Sequence, residues 1–502
     1  MSIKPHYETY RYTSEIQRLK AQSIVECRLP GSEITSVLAV QANAVASECA
    51  CADGEVRYNG KLVLSVLYED ADRKVCRAER GAEFFHKAEH AEITPACYAR
   101  ALLKTENISV RREGSGLYIS VVIGAELPVY GQKKVDYLVG GENIVVKKDV
   151  AKVVKLLSVA GESEREDEFE TDYVGDILLH SENAIVTQAV ADAGQIEIEG
   201  EMNLNICVLK SDESLCAYER LIPFKMQVPC EDAFGDLPVS VNVRVKSAHL
   251  TAGTDEEKGK SKIVLSSVLS ADCVLYQKDE LPVLADAYSP VCETSLKREK
   301  VGGRCLTSLQ KCVERIGGTA ILSEEIEEGY VLQAAVLPRV ELSCRKNERG
   351  ETEAEGIAQA EVLFASADGT HKKATLSLPF AFPVHADEEE KTDGEALLYG
   401  LNVKRKKNGE IEAEGSLKAV FRHYAESSSS YVSEVEEGAI IEENHSGISI
   451  FLPRAGEDLW QVAKRLRCTP EELTRSNPDL KFPIENGERI LVYRRLEENL
   501  QK

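Results

Sequence analysis

A segment of about thirty residues occurs three times in this chain, and no other feature limits its fold more tightly. "VRYNGKLVLSVLYEDADRKVCRAERGAEFF" begins at Val56, "IEIEGEMNLNICVLKSDESLCAYERLIPFK" at Ile196 and "TEAEGIAQAEVLFASADGTHKKATLSLPFA" at Thr352. Laid over one another without a gap, Gly60, Gly200 and Gly356 coincide. So do Asp72, Asp212 and Asp368, and Phe84, Phe224 and Phe380. The first two copies also share Cys76 with Cys216 and Glu79-Arg80 with Glu219-Arg220.

Each copy alternates apolar and polar residues. Ile196, Ile198, Met202, Leu204, Ile206 and Val208 do so in the second, and Val56, Tyr58, Leu62, Leu64, Val66 and Tyr68 in the first. Period two belongs to a strand with one buried face. A polar turn at the shared Asp, then a run ending at the shared Phe, predicts a long β-hairpin. A glycine inside a strand marks a bulge or a close approach of another group. A second strand pair is expected after each hairpin, in "ENISVRREGSGLYISVVIGAELPVY", "VNVRVKSAHLTAGTDEEKGKSKIVLSSVLSADCVLY" and "LNVKRKKNGEIEAEGSLKAVF".

The expected architecture is therefore mainly β. Three tandem β-rich repeats, each a sandwich or open barrel, span 1–150, 151–295 and 296–440. They join near "KKVDYLVGG" and "LADAYSP", and the third fades into the polar "AESSSSYVSEVEEG".

Charge and motifs narrow the chemistry. With 61 basic and 84 acidic residues the chain carries −23, which repels phosphate backbones and argues against nucleic acid as a partner. No apolar run approaches the ~18 residues of a membrane span, and "MSIKPHYETYRYTSEIQRLK" has no signal-peptide core, so a cytoplasmic location is expected. The fourteen cysteines include no C-x-x-C, which suits buried thiols better than zinc. "GTDEEKGKS" (Gly253 to Ser261) has five residues between its glycines, where a phosphate loop needs four, and three of the five are acidic. His86 and His90 fall in a segment expected to be strand or loop and are taken as a surface pair rather than metal ligands. The copies share apolar and turn residues, not a catalytic set, so no enzyme activity and no cofactor are expected.

The C-terminal stretch has another grammar. "GEDLWQVAKRLRCTPEELTRSNPDL" (Gly456 to Leu480) holds the only tryptophan, Trp460. Leu459, Val462, Ala463 and Leu466 form one apolar stripe of a short helix, with Asp458 as its N-cap. Thr469, Pro470 and Glu472 predict a second helix start with a capping box, and Cys468 with Leu473 a hydrophobic staple. Asn477 suits a left-handed C-cap before Pro478. With "GISIFL" before and "ERILVY" after, the unit is β-α-α-β over 446–496.

This stretch resembles a LysM domain. Gly456, Leu459, Trp460, Val462 and Ala463, then Asn477 and Pro478, then Asn486, Gly487, Ile490 and Val492 match that family's pattern. Glu457-Asp458 replaces the usual Asp-Thr, and Asn486 replaces a proline. The resemblance implies a groove and helix face that bind a partner or a glycan. Its residues would be Gly456, Glu457, Asp458, Leu459, Trp460, Lys464, Arg465, Leu473, Asn477, Pro478, Pro483, Ile484, Asn486 and Gly487. Trp460 either packs beside the helix pair or stands on an exposed docking face flanked by Lys464 and Arg465. The two carboxylates of Glu457 and Asp458 would favour a basic protein surface over a neutral sugar.

Three β-rich repeats, "DAYSP" (Asp286 to Pro290) and one LysM domain together resemble the SipL-type spore-coat morphogenetic proteins, whose repeats are termed SPOCS domains. That resemblance implies a non-enzymatic adaptor in the mother-cell cytoplasm, at the forespore or spore coat surface. Through its LysM domain it would tie the basal coat ATPase, SpoIVA, and other coat proteins to the spore. The alternative is a peptidoglycan-binding protein of the cortex or cell wall, recognising N-acetylglucosamine chains.

Overall fold

The structure is a computed structural model. It describes residues 2–30, 34–114, 116–172, 175–235, 237–255, 260–441, 448–485 and 488–493. The chain is mainly strand, in antiparallel sheets, with two short helices near its C-terminal end. Among the described residues no helix is long and apolar enough to cross a membrane.

Each repeated segment is a hairpin. Glu55–Glu69 pairs with Val75–Glu89, Gln195–Leu209 with Leu215–Pro229, and Thr352–Ser366 with His371–Pro383. At each tip the residue after the shared Asp is left-handed: Arg73, Glu213 and Gly369 have φ of 64°, 64° and 84°. Asp212 accepts from the Ser214 backbone and hydroxyl, and Asp368 accepts from the Thr370 N–H, as short polar side chains do in turns. The mid-strand glycines are explained by crowding. Gly60, Gly200 and Gly356 stand opposite Phe84, Phe224 and Phe380 across the hairpin. A Cβ on Gly60 would lie 2.6 Å from Phe84 Cζ, and one on Gly356 2.7 Å from Phe380 Cζ. The phenylalanine ring lies over bare backbone, a close approach that any side chain would block.

A third strand completes each hairpin sheet: Ser36–Ala52, Asp176–Asp192 and Tyr330–Lys346. The chain on either side of each hairpin sheet builds a second sheet. Lys4–Leu29 pairs along its length with Gly116–Glu142, Val145–Asp172 with Lys260–Tyr288, and Cys292–Thr319 with Ile411–Ile440. The second strand pairs expected from sequence lie here: Leu102–Glu113 with Gly116–Glu142, Val239–Asp255 with Lys260–Tyr288, and Lys391–Arg405 with Ile411–Ile440. In each case the two sheets enclose one core: Val56, Leu64 and Ile119 in the first, Ile196, Leu204 and Leu265 in the second, Ala358, Val362 and Phe421 in the third.

Some segments differ from the sequence expectation. "KKVDYLVGG" is continuous strand, and the chain crosses to the next sheet at Asn143 and Ile144, then again between Ser289 and Val291. The serine run from Ser427 to Ser430 is strand rather than a fading end, because Val301 to Lys300 and the neighbouring Gly302 and Gly303 pair with it residue by residue. The acidic tip after Asp255 lies outside the described residues.

The long strands overhang their sandwiches and meet. Tyr130, Tyr276 and Tyr424, one from each sheet pair, share a cluster with Val154, Leu156, Cys305 and Leu306. Tyr137, Val283 and Tyr431 share the next, with Tyr12, Val153 and Val301. At the other end Leu67, Cys207 and Leu363 meet near the hairpin tips, where Arg73 pairs with Asp368 at 3.1 Å. A buried pair, Glu69 with His371 at 2.8 Å, reinforces that end. The three sheet pairs are thus joined by apolar cores at both ends.

Candidate functional site

The C-terminal unit is assembled from local signals. Strands Ile448–Phe451 and Ile490–Tyr493 pair antiparallel around helix α1 (Leu459–Leu466) and helix α2 (Pro470–Ser476). Asp458 caps α1: its carboxylate accepts the Gln461 N–H at 2.7 Å, and the Gln461 side chain accepts the Asp458 N–H at 2.9 Å. Thr469 and Glu472 make the same reciprocal pair on α2, at 3.1 and 2.9 Å. Val462, Ala463, Leu466, Leu473, Ile484, Ile490 and Val492 form the core, with Leu459 and Cys468 at its edge.

One cap differs from expectation. The left-handed residue is Arg467, ending α1 at φ 57°, whereas Asn477 has φ −137°. Asn477 uses its side chain instead: the amide donates to the Leu473 and Leu491 carbonyls, and its oxygen accepts the Leu491 N–H at 2.8 Å. That exchange ties α2 to the last strand, and a left-handed backbone would turn the side chain away from it.

The expected groove residues take several different places. Gly456 is left-handed at φ 87°, and its N–H donates to the Ile484 carbonyl at 2.8 Å. The Ile484 N–H returns to the Glu457 carbonyl at 2.9 Å, so the two loops form one rim with Ile484 buried beneath it. Pro478 and Pro483 are exposed on these loops, and Leu473 is core. Asn486 and Gly487 lie outside the described residues. Glu457 is not an uncompensated carboxylate: it pairs with Arg465 at 2.6 Å and accepts the Arg454 N–H at 2.8 Å. Arg465 also stacks over Phe451 at 4.5 Å, so neither residue reaches outward for a partner.

Trp460 and Lys464 face the body of the protein. The indole N–H donates to Asp286 at 2.8 Å, and the Lys464 ammonium donates to both oxygens of that carboxylate at 2.8 and 2.7 Å. The indole sits edge-on to Tyr288, with ring centroids 5.0 Å apart. The Tyr288 hydroxyl donates to the Cys468 carbonyl at 2.5 Å, and Arg467 reaches Glu293 at 2.6 Å. Burial opposes ionisation of Asp286, but the Lys464 ammonium and the Trp460 N–H more than offset it and hold the carboxyl below its usual range. The helix face that sequence offered to an outside partner is therefore occupied by residues 286–293 of the same chain. "DAYSP" stands out in the sequence, but what it holds is set by the fold. The signal available was an acid and an aromatic two residues apart at the end of a strand.

What the unit turns outward is apolar. Ile448, Ile450 and Leu452 are 62, 63 and 67% exposed, and Leu491 stands beside Ile450 across the strand pair. Elsewhere, a polar cleft of about 650 Å³ lies among the three sheet pairs. Its guanidinium groups are already matched: Arg304 to Asp393 at 2.7 Å, Arg422 to Glu395 at 2.6 Å, and Arg100 to Asp272 at 3.6 Å. Among the described residues no group of three or more His, Cys, Asp or Glu side chains is placed to hold a metal ion. His86 packs edge-on to Tyr58, and His90 bonds Gln17 at 2.8 Å. Cys27, Cys207, Cys230, Cys273, Cys292 and Cys305 are buried free thiols, and burial pushes Cys273 up to about 12. No family model, curated protein or solved structure matches this chain.

Proposed function

We propose that the protein is a non-enzymatic adaptor of spore coat assembly, built from three SPOCS-like β modules and a C-terminal LysM domain. The reading rests on the resemblance of "GEDLWQVAKRLRCTPEELTRSNPDL" and "DAYSP" to the SipL-type family. One structural observation supports it most. The C-terminal unit is seated on the body by α1 while it turns Ile448, Ile450, Leu452 and Leu491 to solvent. Clustered exposed apolar side chains on a small anchored unit are the mark of a protein contact. The partner in this reading is the basal coat ATPase, SpoIVA-like, with other coat proteins held by the larger body.

A second reading, binding of N-acetylglucosamine chains, draws on the rim that Gly456, Glu457 and Ile484 form from two loops. The salt bridge from Arg465 to Glu457 removes the charge that sequence had set against a sugar there. Ile450→Glu in the full chain separates the two readings. Binding to purified coat ATPase should fall at least tenfold, since a charge would be buried unpaired in the contact, while retention on chitin oligomers should not change. Unaltered ATPase binding by Ile450→Glu would remove the adaptor role of this face.

A further inference from the structure

Among the described residues, the contact between the C-terminal unit and the body differs from the junctions between the sheet pairs in having no shared apolar cluster. The three sheet pairs are joined by mixed apolar clusters. The C-terminal unit keeps its core to itself, within residues 451–492. What joins it to the body is polar: the Asp286 carboxylate with Trp460 and Lys464, Glu293 with Arg467, and Lys147 with Asp458 at 3.8 Å. Among the described residues its aromatic contact is Tyr288, fully buried and edge-on to Trp460. A junction held mainly by polar contacts releases more readily than an apolar core.

The body's half of the junction is a short extended segment aimed at the helix. The ladder of Lys260–Tyr288 with Val145–Asp172 shifts register between Leu284 and Asp286, and a shift of this kind re-aims the next side chain. Asp286 thereby reaches α1, and Arg298 approaches the same carboxylate at 3.2 Å from the following strand. Lifted away, α1 would present one indole flanked by the ammonium of Lys464 and the guanidinium of Arg467. Such a face fits an extended segment that carries a carboxylate and an aromatic ring.

We propose that residues 286–293 are an internal ligand that closes a further binding face of the C-terminal unit, and that an outside segment with an acid two residues before an aromatic displaces them. The proposal goes beyond the adaptor reading and does not require it. The two outward surfaces already described remain open in the closed state, and this third one becomes accessible only on release. Both halves of the junction belong to one chain, which keeps the internal ligand at high effective concentration, so the closed state dominates until a competitor is present.

Trp460 is the only tryptophan, so its emission in the full chain reports this junction alone. Asp286→Ala should shift the emission to the red and make it more accessible to acrylamide. Lys464→Ala, at a side chain outside the core of the C-terminal unit, should do the same and guards against a folding defect in the first variant. The probe is a synthetic peptide copying residues 284–294 with serine at the cysteine position. It should bind the Asp286→Ala chain and return the emission to the blue. Binding to the unaltered chain should be at least about tenfold weaker, the factor expected where a tenth or less of the face is open. A peptide with the acid changed to asparagine should fail to bind. The proposal is overturned if both variants keep the original emission and quenching, or if the peptide binds variant and unaltered chain alike.

Discussion

Gly200 offers the sharpest test of why the hairpin carries a glycine. A Cβ there would collide with the Phe224 ring and with the Ile185 carbonyl. The ring can swing, but the carbonyl belongs to the neighbouring strand at a register shift between Glu199 and Gly200. Forcing one extra carbon into a packed site costs about 1–3 kcal/mol. Against this, alanine narrows the unfolded ensemble and returns about 0.4–1 kcal/mol. Gly200→Ala should therefore destabilise the hairpin by about 1–2 kcal/mol, which speeds amide exchange about five- to thirtyfold where local opening governs it. Exchange mass spectrometry over residues 195–229 reads this without assuming that 502 residues unfold in one step. Phe224→Ala removes the ring, so Gly200→Ala should cost less in that background, though not nothing, since the carbonyl stays. Unchanged or slower exchange in Gly200→Ala alone would refute the crowding argument.

Thr469→Ala should cost about 1 kcal/mol by removing the N-cap of α2, seen as faster exchange in residues 470–476 with α1 unaffected. For Asp286 the sign follows from its lowered folded pKa. Its contribution to the junction is present above the unfolded value of about 3.9 and is lost as pH falls through the lower folded one. Lys464 and Arg298 are the cationic groups that face this carboxylate. Trp460 emission should hold from neutral pH to about 4 and shift red below it, whereas Asp286→Asn should be red-shifted already at neutral pH.

Local rules were legible in the sequence because they act within a few residues. Period-two alternation placed Ile196, Ile198, Met202 and Leu204 inside a sheet, and all four are buried. The Asp458 and Thr469 caps followed from spacing, since a cap and its N–H partner lie three residues apart. Asn477 failed the same logic because its side chain had a better partner, Leu491 on the last strand.

Alternation could say only that each strand has one buried face. Asn203, Asn205 and Cys207 occupy the face it assigned to solvent, yet they too are buried. Asn203 donates to the Leu398 carbonyl and to Glu219, and Cys207 packs against Leu67 and Leu363. Leu398, Leu67 and Leu363 belong to other sheets, brought there by overhanging strands whose packing no short window of sequence records. Trp460 shows the same divide. Its place on the outer face of α1 was written in the helical spacing, but its partner Asp286 lies far back in the chain, where the end of one sheet happens to meet the helix. Patterns of two and three or four residues determine strands, helices and their caps; which faces are covered depends on how finished sheets pack together.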